Sequence, residues 1–273
     1  MEQKLIALDL DGTTLNEHSQ ISARTKQILQ KASRNGHIVS IVTGRPYRIS
    51  RDIYDSLGIK TPMINFNGGL GHIPHQTWNR EYQDTFAREI ALDLLAHKEK
   101  LGIKMMAAEA KNMLLANTAD PGSADNFFPS ILASTEVLNA KNLKTDPASV
   151  TMLVEQTAKE KIIAQLEQLY GTDLEIGVWG GGPNPILELE PKGVTKEKGL
   201  RYLAQHFNIS RKNIIAFGDE HNDAEMIDYA GWGGVVMRNG TDQLKQIAND
   251  VTPLDNTQDG LANYLEEYLQ LAE

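Results

Sequence analysis

The sequence predicts an α/β protein: a doubly wound parallel sheet flanked by helices, interrupted by an inserted α+β segment. Three observations carry that prediction. Short apolar or nearly apolar runs, Leu5-Ile6-Ala7-Leu8, Ile38-Val39-Ser40-Ile41-Val42 and Ile214-Ile215-Ala216-Phe217, lack the alternation of a half-exposed strand and read as strands buried on both faces. Amphipathic helix patterns separate them, as parallel crossovers require. Between residues 83 and 190 this rhythm gives way to helices and paired short strands, which divides the chain into a discontinuous core, 1–82 with 191–273, and an insert, 83–190.

Composition sets the class. A chain of 273 residues has ample length to bury a core, and 41% apolar with 23% charged residues is the balance of a soluble globular protein. The formal net charge of −9 argues against nucleic acid or an anionic membrane as partner, because both require a basic surface. With no cysteine, disulfides, thiolate metal sites and cysteine nucleophiles are excluded. The short apolar run after Lys4 is neither a signal peptide nor a membrane span, so the cytoplasm is the expected compartment. The sequence is silent on oligomeric state.

The first strand ends in Asp9-Leu10-Asp11-Gly12-Thr13. Side chains of extended chain alternate, so Asp9 and Asp11 are expected to face one small space, where a hard cation such as Mg²⁺ relieves their repulsion. A polar turn whose aspartates cap backbone amides is the competing reading. A calcium-binding EF-hand loop fails on spacing, since Gly12 falls at its fourth position and Gln20 at its twelfth.

Ser22 then caps a crossover helix whose Ile28, Leu29 and Ala32 share a face, with Gly36 beyond its end. The second strand runs into Thr43-Gly44-Arg45-Pro46, Pro46 suiting the first turn of a helix that stops near Gly58. Met63 to Phe66 forms a third strand opening into Asn67-Gly68-Gly69, and residues 70–82 suggest a hairpin. In the insert, Phe86, Ile90, Leu94 and Leu95 mark one amphipathic helix ending before Gly102. Strands follow at 104–108 and 112–116, then an irregular stretch at 117–146 containing Pro121, Gly122 and Pro129. A strand at 150–154, a helix at 159–170 and two strands split by Gly180-Gly181-Gly182-Pro183-Asn184-Pro185 complete an antiparallel sheet with helices on one face. That glycine-proline segment reads as a plain hairpin connection rather than an active-site loop.

After Pro191, Thr195 caps a helix bearing Leu200, Leu203 and Phe207. Lys196 falls in its first turn, where a cation opposes the helix dipole. The lysine is either a solvated surface residue or faces a bound anion. The strand at 214–217 empties into Gly218-Asp219-Glu220-His221-Asn222-Asp223, a further strand at 235–237 leads to Arg238-Asn239-Gly240, and 261–271 closes the chain as a helix. Four strand ends thus carry polar groups: Asp9 with Asp11, Thr43, Asn67, and Asp219 with Asn222 and Asp223. In a parallel sheet all converge on the carboxyl edge, where doubly wound folds bind ligands.

On these motifs the chain resembles a haloacid dehalogenase superfamily phosphatase of the Cof type. Asp9-Leu10-Asp11-Gly12-Thr13 matches the family's first motif, Thr43-Gly44-Arg45 the second, Lys196 within Gly193-Val194-Thr195-Lys196 the third, and Gly218 to Asp223 the fourth, in order and along nearly the whole length. The resemblance implies a Rossmann-like core with an α+β (type IIB) cap inserted between the second and third motifs. It implies Mg²⁺-dependent hydrolysis of a small phosphorylated metabolite, such as a sugar phosphate, by nucleophilic attack from Asp9 with Asp11 as general acid and base. Asp9, Asp219 and the backbone carbonyl of Asp11 would hold the metal, with Asp223 supporting them, and Leu10, Thr43, Gly44, Lys196 and Asn222 would hold the phosphoryl oxygens. Arg45 either contacts substrate or pairs with an acidic neighbour on the cap. His221 is expected to be an exposed loop histidine, and Trp179 and Trp232 packing residues. A phosphotransferase or mutase would share every motif; a non-enzymatic phosphate sensor would be expected to lose the nucleophile or the acid.

Overall fold

In a computed structural model, which describes residues 2–120, 127–179 and 184–271, the strand β1 (Leu5–Leu8) is buried along its whole length. It runs parallel between β2 (Ile38–Ile41) and β11 (Ile214–Gly218). The helices α1 (Ala23–Arg34) and α2 (Tyr47–Leu57) lie before and after β2 in sequence. Ser22 caps α1 by accepting from the Thr25 amide at 3.0 Å, and Ile28, Leu29 and Ala32 are buried. Pro46 is the residue that caps α2 rather than part of its first turn, and Gly58 closes that helix in the left-handed conformation.

The third strand, β3 (Met63–Asn65), joins the parallel sheet through an isolated bridge between Val42 and Ile64, and pairs antiparallel with β4 (Leu70–His72). A short β5 (Tyr82–Gln83) completes that three-stranded sheet.

The chain divides into two compact units, Met1–Tyr82 with Thr195–Glu273, and Gln83–Val194. The second contains α3 (Arg88–Ala96), α4 (Lys98–Leu101), β6 (Ile103–Ala110), β7 (Met113–Ala116), β8 (Ser149–Val154), α5 (Lys159–Tyr170), β9 (Leu174–Trp179) and β10 (Ile186–Pro191). Its strands form an antiparallel sheet in the order β7-β6-β8-β10-β9. Val150, Met152, Leu187 and Leu189 pack with Leu94, Ile162 and Leu166 of the helices, so every second strand residue serves this core. The helix expected to run on toward Gly102 is broken at His97, where the backbone turns to φ −104° and ψ 9° while both the amide (3.1 Å) and the imidazole (2.9 Å) bond the Asp93 carbonyl. Phe86 lies outside it. Residues 121–126, with Pro121 and Gly122, and residues 180–183 of the glycine-proline segment lie outside the described residues.

The first unit continues with α6 (Lys196–His206), β11, α7 (Ala224–Ala230), β12 (Gly234–Val236), α8 (Asp242–Ile247), β13 (Asp250–Val251) and α9 (Gly260–Tyr268). Its parallel sheet has the order β13-β12-β11-β1-β2. Alternation in β1 divides the core: Ile6 and Leu8 pack with residues of α1, α2 and α9, whereas Leu5 and Ala7 pack with residues of α6 and α7. Trp232 is not a packing residue. It is 82% exposed, because its turn presses Gly233 so closely on β11 that a Cβ there would lie 1.9 Å from the Ile214 carbonyl oxygen. Among the described residues no helix is long and apolar enough to cross a membrane.

Candidate active site

Asp9 is the first residue beyond β1. Its amide donates to the Phe217 carbonyl (3.1 Å) on one side, and its own carbonyl accepts from the Thr14 hydroxyl (2.5 Å). Between them the chain makes a tight turn that Gly12 permits, at φ +66°. A side chain there would be strained by that φ, and its Cβ would lie 2.1 Å from Asp219 Oδ2 and displace that carboxylate. The close approach lets Thr13 donate to Asp219 Oδ1 at 2.9 Å. Asn239 holds the same turn from β12's side, donating to the Gly12 carbonyl at 2.7 Å.

Asp219 and Asp223 follow β11. Gly218 admits the Asp223 side chain, for a Cβ there would meet Asp223 Cγ at 2.4 Å. Fully buried, Asp223 accepts at Oδ2 from the amides of Asp219 (2.9 Å) and Glu220 (3.1 Å). Its Oδ1 accepts from Lys196 Nζ at 2.6 Å, and the same ammonium reaches Asp9 Oδ1, also at 2.6 Å. Lys196 is 1% exposed, which rejects the solvated-surface reading. Its place is set by Thr195, whose hydroxyl caps α6 by accepting from the Lys198 amide (3.2 Å).

One ammonium therefore stands among three carboxylates. Oxygens of Asp9, Asp219 and Asp223 lie within 4.8 Å of one another, and at that limit each like-charge pair repels by about 3.5 kcal/mol at an effective dielectric of 20. Burial would draw the Lys196 pKa down, but Asp223 and Asp9 outweigh it and hold the ammonium charged. Burial pushes Asp9 well above the usual carboxylate range; Lys196 opposes this while Asp223 and Asp219 add to it. Asp219 is pushed up to about 7, chiefly by burial and then by Asp223. With both Asp223 oxygens taken up by Lys196 and two amides, the surplus negative charge on Asp9 and Asp219 fits a hard divalent cation, whereas cysteine-loving metals have no ligand here.

The remaining predicted residues differ in their surroundings. Thr43, buried after β2, accepts at Oγ1 from the Arg45 amide (3.1 Å), and Gly44 is buried beside it. Asn222 donates to Asn67 Oδ1 at 3.0 Å. The Phe66-Asn67 turn runs through left-handed conformations, φ 49° and 47°, and Gly68 follows so close to α6 that a Cβ would lie 2.0 Å from the Thr195 carbonyl oxygen. Strain of this kind is kept where the surrounding structure fixes a loop. Leu10 has its side chain buried in the turn after Asp9, and His221 is exposed.

Asp11 departs from expectation. Its carboxylate does not join the cluster around Asp9 but is gripped by Arg45, Nε to Oδ2 at 2.7 Å and Nη2 to Oδ1 at 2.5 Å. The chain leaves the extended conformation at Leu10, the first residue of the helical turn Leu10–Thr14, so the alternation that the expectation assumed does not carry from Asp9 to Asp11. Arg45 thus pairs with an acid of its own unit. Thr13 and Asn239 are site neighbours to which the sequence assigned no role; the glycines beside them, Gly12 and Gly240, were the available signal.

The model of the haloacid dehalogenase-like hydrolase family matches residues 6–265. The chain is 35% identical over 274 residues to the 5-amino-6-(5-phospho-D-ribitylamino)uracil phosphatase YitU of Bacillus subtilis (strain 168), covering 99% of this chain and 100% of that one. To phosphatase YwpJ of the same organism it is 29% identical, covering 97% and 100%. A haloacid dehalogenase-like hydrolase structure from Bacteroides thetaiotaomicron has the same fold, with TM-score 0.80 at 24% identity over 98% of this chain and 100% of that one. One from B. subtilis superposes with TM-score 0.77 at 27% identity over 97% and 99%. Matched along nearly its whole length in sequence and in fold, the chain belongs to the haloacid dehalogenase-like hydrolases, as a phosphatase of the Cof type.

Proposed function

We propose that the protein is a Mg²⁺-dependent phosphomonoesterase acting on small phosphorylated metabolites through an aspartyl-phosphate on Asp9. The observation that carries this reading is the buried meeting of Asp9, Asp219, Asp223 and Lys196 beyond the carboxyl ends of β1 and β11. Asp9 and Asp219, with the main-chain carbonyl of Asp11 as the family pattern implies, would hold a divalent cation, which would supply neutralisation of the phosphoryl oxygens.

In the first half-reaction an Asp9 oxygen bonds to phosphorus as the ester P–O bond breaks, and Asp11 gives a proton to the departing alkoxide. In the second, water attacks phosphorus and yields a proton to Asp11. The bond to Asp9 breaks, and inorganic phosphate leaves with both side chains restored. Lys196 donates two of its three protons to Asp9 and Asp223, which aims it and leaves the third for a phosphoryl oxygen. The Thr43 hydroxyl, the Leu10 and Gly44 main chain and the Asn222 amide take the others. Asp223, with its acceptors committed to Lys196 and two amides, orients the lysine and the loop bearing Asp219.

The 35% identical relative is named for 5-amino-6-(5-phospho-D-ribitylamino)uracil, which makes that compound the first substrate to assay. Beside an alkyl and an aryl phosphate, with Mg²⁺ or EDTA, the protein should release inorganic phosphate only when the ion is present. Phosphate that stays organic would mark a transferase. Asp9→Asn, nearly isosteric but a poor nucleophile, should lower kcat by at least about 10³-fold with the fold intact. Full activity after chelation, or a tenth of the rate in Asp9→Asn, would sink the proposal.

A further inference from the structure

We infer that Arg45 is the positioning residue of Asp11, its guanidinium fork setting the carboxyl group that exchanges the proton in the reaction proposed above, on which this inference rests. Asp11 sits on an open turn with its side chain 49% exposed, so its carboxylate is not enclosed by packing. The two contacts from Arg45, at 2.7 Å and 2.5 Å, engage both carboxylate oxygens and fix the plane of the group as well as its direction. An ion pair this open adds little to stability. Its use lies in orientation.

Arg45 is itself held from behind. Its amide donates to Thr43 Oγ1 (3.1 Å), and its carbonyl accepts from Asn65 Nδ2 (2.8 Å). Asn65, fully buried at the end of β3, donates also to Ser50 Oγ (2.9 Å) in α2 and accepts from His72 Nε2 (3.0 Å) in β4. Three elements thus fix the main chain of residue 45 through side chains that no water reaches. The guanidinium also reaches the Ser19 hydroxyl at 3.3 Å. This chain of bonds runs from the interior to the exposed carboxylate and ends where the proton is exchanged. It also ties Asp11 to Thr43, so the group that exchanges the proton and a group on the phosphate share one support.

The test separates orientation of a proton donor from stability and from direct contact with phosphate. An aryl phosphate has a leaving group that departs unprotonated; an alkyl phosphate does not. The value of kcat/KM reports the step that breaks the ester bond. In Arg45→Ala it should fall at least about tenfold for the alkyl phosphate and less than about threefold for the aryl phosphate. Arg45→Lys, which keeps the charge but not the fork, should resemble Arg45→Ala, and Asp11→Asn should show the same selectivity more strongly. Loss of the same factor on both substrates, no loss on either, full rescue by lysine, or an unselective Asp11→Asn would each overturn the inference. Phosphate release by the wild type and its abolition in Asp9→Asn test the parent reading separately, so a failure at Arg45 is distinguishable from a failure there.

Discussion

Lys196 opens α6, where its charge opposes the helix dipole, and that local misfit was the sequence signal at this position. Its burial was not legible, because the carboxylates that compensate it lie 187 residues away at Asp9 and 27 residues away at Asp223. The same holds for Asp11 and Arg45, 34 residues apart: spacing along a strand predicted which way Asp11 points, and the helical turn that begins at Leu10 redirected it. Asp219 shows what the surplus of carboxylates does. Unfolded, it releases its proton near pH 3.8; folded and metal-free, near pH 7. Between those values the folded state binds the extra proton, so this group's contribution to stability is present in acid and is lost as pH rises to about 7. A cation that binds the ionised cluster reverses the loss. Melting temperatures of the EDTA-treated protein should therefore decline from about pH 5 to pH 8, and Mg²⁺ should raise them more at pH 8 than at pH 5. An equal Mg²⁺ effect at both values would place the ion elsewhere.

At the level of elements, the apolar runs of β1, β2 and β11 and the caps at Ser22 and Thr195 were readable because each signal is local. The strand β13 was not. Its two residues, Asp250 and Val251, are exposed and owe their extended form to pairing with β12. The helix α8 was missed although Thr241 offers its cap. Within the antiparallel sheet, β6, β8 and β10 each turn alternate residues away from the helix-packed core, and Glu188 is among them. It is buried, accepting from Ser149 Oγ (2.8 Å) and from Trp179 Nε1 (2.6 Å). Burial, with Glu109 nearby, pushes it up to about 7, against the pull of those two donors. Ionisation of Glu188 thus falls near neutrality and alters the hydrogen bond of an indole. Tryptophan fluorescence should titrate with a midpoint near pH 7, and Glu188→Gln should remove that transition. A transition that survives in the variant belongs to Trp78 or Trp232 instead.

On the scale of the whole chain, the first unit is built from two segments, and both of its inner ends meet one turn. Tyr82 Oη donates to the Gly68 carbonyl at 2.8 Å, and Gly68 packs on the Thr195 carbonyl so closely that a Cβ would lie 2.0 Å away. The segment 83–194 can therefore be excised and the ends joined by a short Gly/Ser linker. About eight residues, with a typical span of roughly 15 Å, suffice for such a gap. The five parallel strands and their two helix-packed faces draw on residues outside the excised segment, so the remaining unit should fold. Asp9, Asp219, Asp223, Lys196, Thr43 and Arg45 all stay with it. If phosphoryl chemistry belongs to this unit and recognition of the leaving group to the other, the shortened protein should still bind Mg²⁺ and slowly cleave an activated aryl phosphate. It should no longer discriminate among metabolite phosphates, because binding energy remote from phosphorus is what orients a specific substrate. The quantity to compare is the ratio of kcat/KM for the best metabolite to that for the aryl phosphate, in the full and the shortened chain. A folded, shortened protein that kept the full-length ratio would locate recognition in the loops around Asp9 and refute the division.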